Sequence, residues 1–418
     1  MKTNDNGRYA RPSVSTHQLP NGLRIIHQPF PSEISYCGIV IDTGSRDEFP
    51  DEHGMAHFVE HLLFKGTQKR KAHHVINRME NVGGELNAYT TKEETFIYAT
   101  FLSEYFERAI ELLSDIVFHS NFPEHQIQKE RDVILDEINS YIDSPSELIF
   151  DDFENLLFPN HEIGHYILGT TESLLTFDKK KVENFVNRQY SPSNMVLFSF
   201  GKTPFSKIVR LSEQYFSRPN IQHSTSKKRE LPFMGKPRKH QLEKDTAQTH
   251  LILGTHTSDM FHSDRYALYL LNHILGGGAI NSRLNNSLRE KHGLVYNVES
   301  NLALYTDTGL FSIYFACDKK HVERCLKLID KEFQKLTEFP LSPSQLATAK
   351  RQYKGQLGIA SENNESIALR MAKSYLHFNQ YFPLEDIFTK IDGVTSEQLQ
   401  NLAKELLIWD KQYQLKYI

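Results

Sequence analysis

Residues 54–64 read Gly-Met-Ala-His-Phe-Val-Glu-His-Leu-Leu-Phe, and their apolar side chains recur at helical spacing. This pattern predicts an amphipathic helix. Because residues four apart lie on one face of a helix, His57 and His61 can present both imidazoles to one ion, with Glu60 close to them. Imidazole nitrogens and carboxylate oxygens are ligands of zinc, so the stretch predicts a metal-binding helix. A solvated helix face is the competing interpretation unless a third ligand exists.

A second predicted helix, residues 124–141, supplies two candidates for the third ligand. Glu130 and Glu137 are seven residues apart and therefore lie on nearly the same face, two turns from each other. One carboxylate could complete the coordination of the metal while the other accepts the free N–H of a ligating histidine. The spacing alone does not rank the two residues, and surface charge is an equally good interpretation of either.

Around these helices the sequence predicts a mixed order of strands and helices. The Asn21-Gly22 pair predicts a hairpin turn near the start of the chain, and Pro145 after Ser144 predicts the first turn of another helix. The other predictions are strands at 34–42, 86–90, 95–101 and 195–200 and a helix at 104–119. This order is typical of an α+β fold in which helices pack on one face of a mainly antiparallel sheet.

The second part of the chain repeats the first. Residues 268–275 keep the apolar spacing of residues 56–63, and 413–418 resemble 195–200. Tyr269 and Asn272 replace a histidine and the glutamate of the first copy, so only His273 is kept, and we interpret it as a packing residue. We predict two homologous domains, separated by a polar, basic, proline-containing linker. The predicted ranges are an N-terminal tail at 1–14, a zinc-binding domain at 15–216, the linker at 217–246 and an inactive domain at 247–418.

The composition is that of an ordinary globular protein and excludes several classes of function. The chain has 418 residues and a formal net charge of -4, so it carries no broad basic field for nucleic acid. The sequence has no run of about 18 apolar residues and no visible signal or transit peptide, which predicts a cytoplasmic protein without a membrane span. Cys37, Cys317 and Cys325 are too scattered for a disulfide framework.

The HxxEH motif at 57–61, followed by Phe-Lys-Gly-Thr at 64–67 and by Glu137, resembles the M16 (insulinase or pitrilysin) family of inverted zinc peptidases. The resemblance extends over the whole chain. It implies one Zn²⁺ per chain, with Glu137 as the third ligand, Glu130 supporting a ligating histidine and Glu60 as general base on a zinc-bound water. It also implies two homologous α+β domains that form one bowl of a clamshell, and a zinc metalloendopeptidase that hydrolyses short or unfolded peptides inside a closed chamber.

The same resemblance implies residues that bind the substrate. Asn87, Ala88 and Tyr89 match the family's edge strand, onto which an extended peptide adds through main-chain hydrogen bonds. Arg289 and Tyr296 match the family segment that contacts the substrate and helps to stabilise the charge that develops on the carbonyl oxygen.

Assembly is the last expectation that follows from the resemblance. Short members of the family each supply one half of a chamber, and this chain carries both the zinc motif and the Arg289 segment. The resemblance therefore implies a homodimer in which Arg289 and Tyr296 act across the interface. The sequence leaves open a heterodimer with an inactive paralogue. It also leaves open two other functions, a non-catalytic binding or scaffold subunit and a peptidase that removes targeting presequences.

Overall fold

A computed structural model describes residues 14–217 and 229–418. The predicted N-terminal tail, apart from Val14, lies outside the described residues, and so does the part of the predicted linker at 218–228. Throughout the described ranges, none of the helices combines the length and the apolar character that crossing a bilayer requires.

The first sheet has six strands, ordered β1-β2-β6-β3-β5-β4. They are β1 (Ser15–Gln18), β2 (Arg24–Pro29), β3 (Ile34–Ile41), β4 (Glu85–Thr90), β5 (Thr95–Leu102) and β6 (Met195–Gly201). β2 and β6 are parallel, and the other neighbours are antiparallel. The helices in this part of the chain are α1 (Met55–Leu63), α2 (Ala72–Glu80), α3 (Phe106–His119), α4 (Glu124–Ile142), α5 (Pro145–Leu157), α6 (Thr171–Leu174), α7 (Lys179–Gln189) and α8 (Phe205–Phe216).

The second sheet has five strands, ordered β7-β11-β8-β10-β9. They are β7 (Lys239–Leu242), β8 (Thr249–Thr257), β9 (Val295–Leu304), β10 (Gly309–Cys317) and β11 (Tyr413–Tyr417). The helices are α9 (Arg265–Leu275), α10 (Val322–Glu338), α11 (Pro343–Ala360), α12 (Asn364–Phe378), α13 (Leu384–Gly393) and α14 (Ser396–Leu406). Only β7 and β11 are parallel, so this sheet repeats the order and directions of the first without β1. The prediction of a duplicated α+β fold is confirmed.

Both faces of the first sheet are buried. Along β6, Met195 and Leu197 belong to a core that includes residues of α1, α3, α7 and α8. The alternate residues Val196 and Phe198 point to the opposite face, where they pack with α12. The predicted helical layer on one face is therefore present, and one further helix covers the other face.

The second sheet is covered in the same way. Leu251 and Leu253 of β8 lie in a core with α9, α10 and α14. Ile252 between them points to the other face, which packs with α5. Among the described residues, each sheet thus has its main helices on one face and one α-helix on the other.

The two covering helices come from distant parts of the chain. Of the described residues, one compact unit contains those up to Ile138, those between Tyr166 and Arg229, and the segment Asn363–Phe382, which includes α12. The other contains Asn139–His165, with α5, together with Glu230–Glu362 and Pro383–Ile418. The compact units therefore do not follow the predicted ranges 15–216 and 247–418.

Local predictions agree with the structure except at one strand. Gly22, with φ of 91°, lies in the turn that joins the antiparallel strands β1 and β2, and Pro145 begins α5 after Ser144. The exception is β7, which lies within the predicted linker. Its side chains are largely exposed, so this edge strand carries no apolar alternation that the sequence could reveal.

Candidate metal centre

The N-terminus of α1 is fixed by glycine geometry and by a buried carboxylate. Gly54 has φ of 93°, a region that favours glycine, and a Cβ there would lie 2.7 Å from the Cα of Gly169. Glu48 accepts hydrogen bonds from the backbone N–H of Gly54 at 2.9 Å and of Ala56 at 2.8 Å. These bonds satisfy amide groups that a helix leaves without an intrahelical partner. The start of α1 is thereby held in place.

α1 buries its apolar face and turns its two histidines towards each other. Phe58, Val59 and Leu62 are fully buried in the first core. The rings of His57 and His61, one helical turn apart, have centroids separated by 4.7 Å. The structure therefore places the His57 and His61 rings next to each other on one face of α1.

Glu137 of α4 lies against both histidines. Its Oε2 is 3.8 Å from Nε2 of His57 and 3.7 Å from Nε2 of His61. One ligand atom from each residue lies within 4.8 Å of those of the other two. Tetrahedral zinc with bonds of about 2.0–2.2 Å holds its ligand atoms about 3.4 Å apart, so the three groups are close to the spacing that a shared ion requires.

Glu130 lies on the far side of His61. Its Oε2 is 3.3 Å from Nδ1 of His61, and its side chain is 2% exposed. A carboxylate in this position fixes the histidine tautomer whose other nitrogen is free to bind a metal. Glu137 thus faces the Nε2 atoms and Glu130 faces Nδ1, a distinction that their spacing in the sequence did not provide.

The electrostatics favour an uncharged His57 and a basic Glu60. Burial, followed by the neighbouring His61 ring, lowers the pKa of His57 to about 3. The imidazole is then neutral at pH 7, which is the form that binds metals. Burial also raises the pKa of Glu60, although a hydrogen bond from Thr90 and the His61 ring oppose the rise. A raised pKa makes a carboxylate a better proton acceptor.

Glu60 is held by a residue of the first sheet. The hydroxyl of Thr90 donates a hydrogen bond of 2.6 Å to Oε2 of Glu60. Thr90 ends β4, which forms one edge of the described sheet because it pairs only with β5. Asn87, Ala88 and Tyr89 precede it on the same strand. The predicted substrate strand therefore ends beside the predicted general base.

Arg289 and Tyr296 lie in the second compact unit, whereas the histidines lie in the first. Arg289 belongs to a π-helical turn, Asn285–Glu290, and its guanidinium carbon is 5.9 Å from the centroid of the Tyr296 ring. The Tyr296 side chain is 85% exposed. The two predicted substrate-contact residues are thus close to each other and open to solvent.

In the second copy of the motif, the remaining histidine is packed in the protein interior. His273 on α9 is 4% exposed, and its ring lies 5.1 Å from the ring of Tyr353. Burial lowers its pKa. Within the described part of the chain, the only group of three or more histidine, cysteine or acidic residues with metal-like spacing is the one around His57.

The sequence predicts no role for two residues of this site. Thr90 is the last residue of the predicted strand 86–90, and Lys65 belongs to the segment after the HxxEH motif. Lys65 Nζ lies 2.8 Å from Oε1 of Glu130. No sequence pattern links either residue to its carboxylate, since the partners are 30 and 65 positions away.

The donor set fits zinc. Two imidazole nitrogens and one carboxylate oxygen converge, and this is the type of set that catalytic zinc sites use while leaving a fourth position for water or substrate. The Glu130 carboxylate faces Nδ1 of His61, and histidines that bind zinc usually have such a hydrogen-bond partner on their other nitrogen.

Two family descriptions match the chain. Residues 24–171 match the family described as Insulinase (Peptidase family M16), and residues 176–353 match its domain described as Peptidase M16 inactive domain. Among similar proteins is an uncharacterized zinc protease of Bacillus subtilis, 31% identical over 402 residues, covering 95% of this chain and 96% of that protein. Another, from Rickettsia felis, is 33% identical over 392 residues and covers 93% and 94%.

Solved structures share the fold. A protease from Helicobacter pylori superposes with a TM-score of 0.90 at 22% identity, covering 97% of this chain and all of that one. A structure from Pseudomonas fluorescens, described as a peptidase M16 inactive domain, gives a TM-score of 0.88 at 22% identity, with coverage of 97% and 98%.

Proposed function

Because the chain belongs to the insulinase family, peptidase family M16, we propose that it is a zinc-dependent endopeptidase of the inverted HxxEH type. We propose one zinc ion per chain and short or unfolded peptides as substrates. The relatives named zinc proteases support the metal and the reaction class.

One observation carries this proposal. His57, His61 and Glu137 converge with metal-like spacing. Glu60, which lies on α1 with the two histidines, is partly buried and accepts a hydrogen bond from Thr90. A structural zinc site has four protein ligands and needs no general base. Three protein ligands, which leave a fourth position for water, together with an adjacent carboxylate that can accept a proton, favour hydrolysis.

The side chains divide the chemistry between them. When bound, zinc supplies Lewis acidity that lowers the pKa of water and polarises the scissile carbonyl. Glu60 accepts a proton from the attacking water and delivers it to the leaving amine. Thr90 orients the Glu60 carboxylate through its hydroxyl. Glu130 holds the His61 ring by accepting from Nδ1.

The peptide binds along the edge strand β4. Ala88 packs against the first core, and Tyr89 stacks on Phe96 on the opposite face, with ring centroids 4.7 Å apart. These side chains are turned to the faces of the sheet, so the backbone of β4 forms an edge with which no other described strand pairs. An extended substrate can add there as a further strand, with Asn87, Ala88 and Tyr89 as its main-chain partners.

Arg289 and Tyr296 complete the site from a second copy of the chain. Their exposure leaves them free to contact a substrate, and a guanidinium and a phenol can both donate to the oxygen that becomes negatively charged. The proposed assembly is a cytoplasmic homodimer, in which each zinc site receives these two residues from its partner.

Zinc analysis combined with a quenched fluorescent peptide tests the proposal. Purified wild type should contain about one zinc per chain and cleave the peptide. Glu60→Gln should retain the zinc and lose at least about a hundredfold in kcat, the usual contribution of a general base. Glu80→Gln, which changes an exposed carboxylate of α2, is the matched control.

The outcomes separate the competing functions. A wild type that binds zinc but cleaves no faster than Glu60→Gln would identify a binding or scaffold subunit. A wild type without zinc affinity at His57 and His61 would exclude the metal centre.

A further inference from the structure

The segment that follows the proposed metal-binding helix, Phe-Lys-Gly-Thr at 64–67, is anchored by hydrogen bonds at its end. Gly66 has φ of 137°, which favours glycine. The Thr67 hydroxyl donates to Oδ2 of Asp115 at 2.8 Å and accepts from the backbone N–H of Arg70 at 3.0 Å. Asp115, on α3, is buried and also pairs with the Arg70 guanidinium. The turn is thereby fastened to the core of the first unit.

The anchored turn places Lys65 beside Glu130. The Lys65 ammonium lies 2.8 Å from Oε1 of Glu130, while Oε2 of the same carboxylate lies 3.3 Å from Nδ1 of His61. The Lys65 side chain is 28% exposed and that of Glu130 only 2%. A carboxylate this deeply buried requires a compensating charge. Lys65 supplies that charge at one oxygen and leaves the other for the histidine.

We propose that Lys65 is a positioning residue for the metal ligand His61, acting through Glu130. The inference rests on the proposed zinc centre and deepens it. With Oε1 held by the ammonium, Glu130 can present only Oε2 to His61. The His61 ring is then fixed with Nε2 towards Glu137, 3.7 Å away. The role of Lys65 is to retain the metal, and it touches neither substrate nor the reacting atoms.

Metal affinity is the property that this role predicts. Groups that support a ligating histidine from behind typically change metal affinity by about 10–100-fold when they are removed. Because Lys65 acts one step further from the metal than Glu130, we expect Lys65→Met to weaken zinc binding by about tenfold, at the lower end of that range. Lys65→Arg keeps a charged donor and should stay within about threefold of wild type.

Zinc Kd values measured by chelator competition on the full-length chain test the inference. The set is wild type, Lys65→Met, Lys65→Arg and, as a matched control, Lys69→Met, which removes an exposed lysine from the same turn. Visible spectra of the Co²⁺-loaded proteins report the ligand geometry independently of activity. If Lys65→Met does not fold, as judged by circular dichroism, Lys65→Gln takes its place. The inference is overturned if the zinc Kd of Lys65→Met stays within about twofold of wild type. It is also overturned if Lys69→Met weakens zinc binding as much as Lys65→Met does.

A double-mutant cycle shows whether Lys65 acts through Glu130. In the Glu130→Gln background, Lys65→Met should add little to the loss of affinity, because the carboxylate that it positions is already absent. Additive losses would overturn the proposed route. If His57→Ala binds zinc with the same Kd as wild type, the proposed zinc centre itself is wrong.

Discussion

The hydroxyl of Thr90 lies 2.6 Å from Oε2 of Glu60 and joins the last residue of the edge strand β4 to the middle of α1. The proposed substrate strand and the proposed general base are therefore connected by a hydrogen bond. In the proposed complex, a peptide added to β4 would lie beside the Glu60 carboxylate, which accepts a hydrogen bond from the same strand.

Removing this hydroxyl should slow the chemical step. A hydrogen bond to a charged group contributes about 1.5–3 kcal/mol, so Thr90→Val is expected to lower kcat roughly tenfold or more. Steady-state kinetics should show little change in KM, and the zinc content should be that of wild type. Thr90→Ser restores the donor and should recover most of kcat. An undiminished kcat in Thr90→Val would mean that the bond does not orient the base.

Mixing two inactive variants tests the proposed homodimer. Glu60→Gln and Arg289→Ala chains should each be inactive, because each lacks one part of every site. After subunit exchange, half of the dimers contain one chain of each kind, and one of their two sites is complete. The mixture should therefore recover about one quarter of wild-type activity. Exchange shown by co-purification of differently tagged chains, without recovered activity, would exclude action across the interface.

Zinc should stabilise the folded protein through the three predicted ligands. A ligand that binds only the native state adds about 2.7 kcal/mol at a free concentration of a hundred times its Kd. Thermal unfolding of metal-free wild type should shift upward when zinc is added and return after chelation. His61→Ala and Glu137→Ala should lose this shift. His125→Ala, which changes an exposed histidine at the start of α4, should keep it. An equal shift in all variants would place the zinc elsewhere.

The buried carboxylate of Glu94 should make stability depend on pH. Burial alone would raise its pKa, but the hydrogen bond from His377 at 2.6 Å and the charge of Lys373 lower the pKa of Glu94 from 4.5 to about 2. Because the folded pKa is depressed, the ionised group stabilises the fold above pH 4.5, and this stability is lost as the pH falls towards 2.

Glu94→Gln should therefore lower the free energy of unfolding by about 2–3 kcal/mol at pH 7. Urea unfolding at pH 7, 4 and 3 should show the difference from wild type shrinking below pH 4.5. Glu80→Gln provides a surface control with no such dependence. An identical loss at pH 7 and at pH 3 would contradict the ionised pair.

Periodic patterns predicted the local structure well. The apolar spacing at 54–64 predicted a helix, which is observed at Met55–Leu63. The spacing of Glu130 and Glu137 gave their shared face but not their roles, because two turns of helix separate them and only the position of the histidine rings distinguishes the carboxylates. The roles of Thr90 and Lys65 depend on contacts between elements that the sequence does not order in space.

The covering helices show a second kind of limit. The predicted helix after Ser144 was found as α5, but its amphipathic pattern cannot specify which sheet it covers. The apolar face of such a helix must pack against an apolar surface, and each of the two similar sheets has one. The structure resolves this choice in favour of the later sheet for α5 and of the earlier sheet for α12.

The exchange of α5 and α12 means that the duplicated folds cannot be separated as modules. A fragment ending at 217 would keep the first sheet without α12, leaving Val196 and Phe198 uncovered. A fragment beginning at 229 would lack α5, leaving Ile252 and Tyr314 uncovered. Apolar surfaces of this kind promote aggregation. Neither copy would therefore form a complete core by itself, and protein engineering must move or truncate the two copies together.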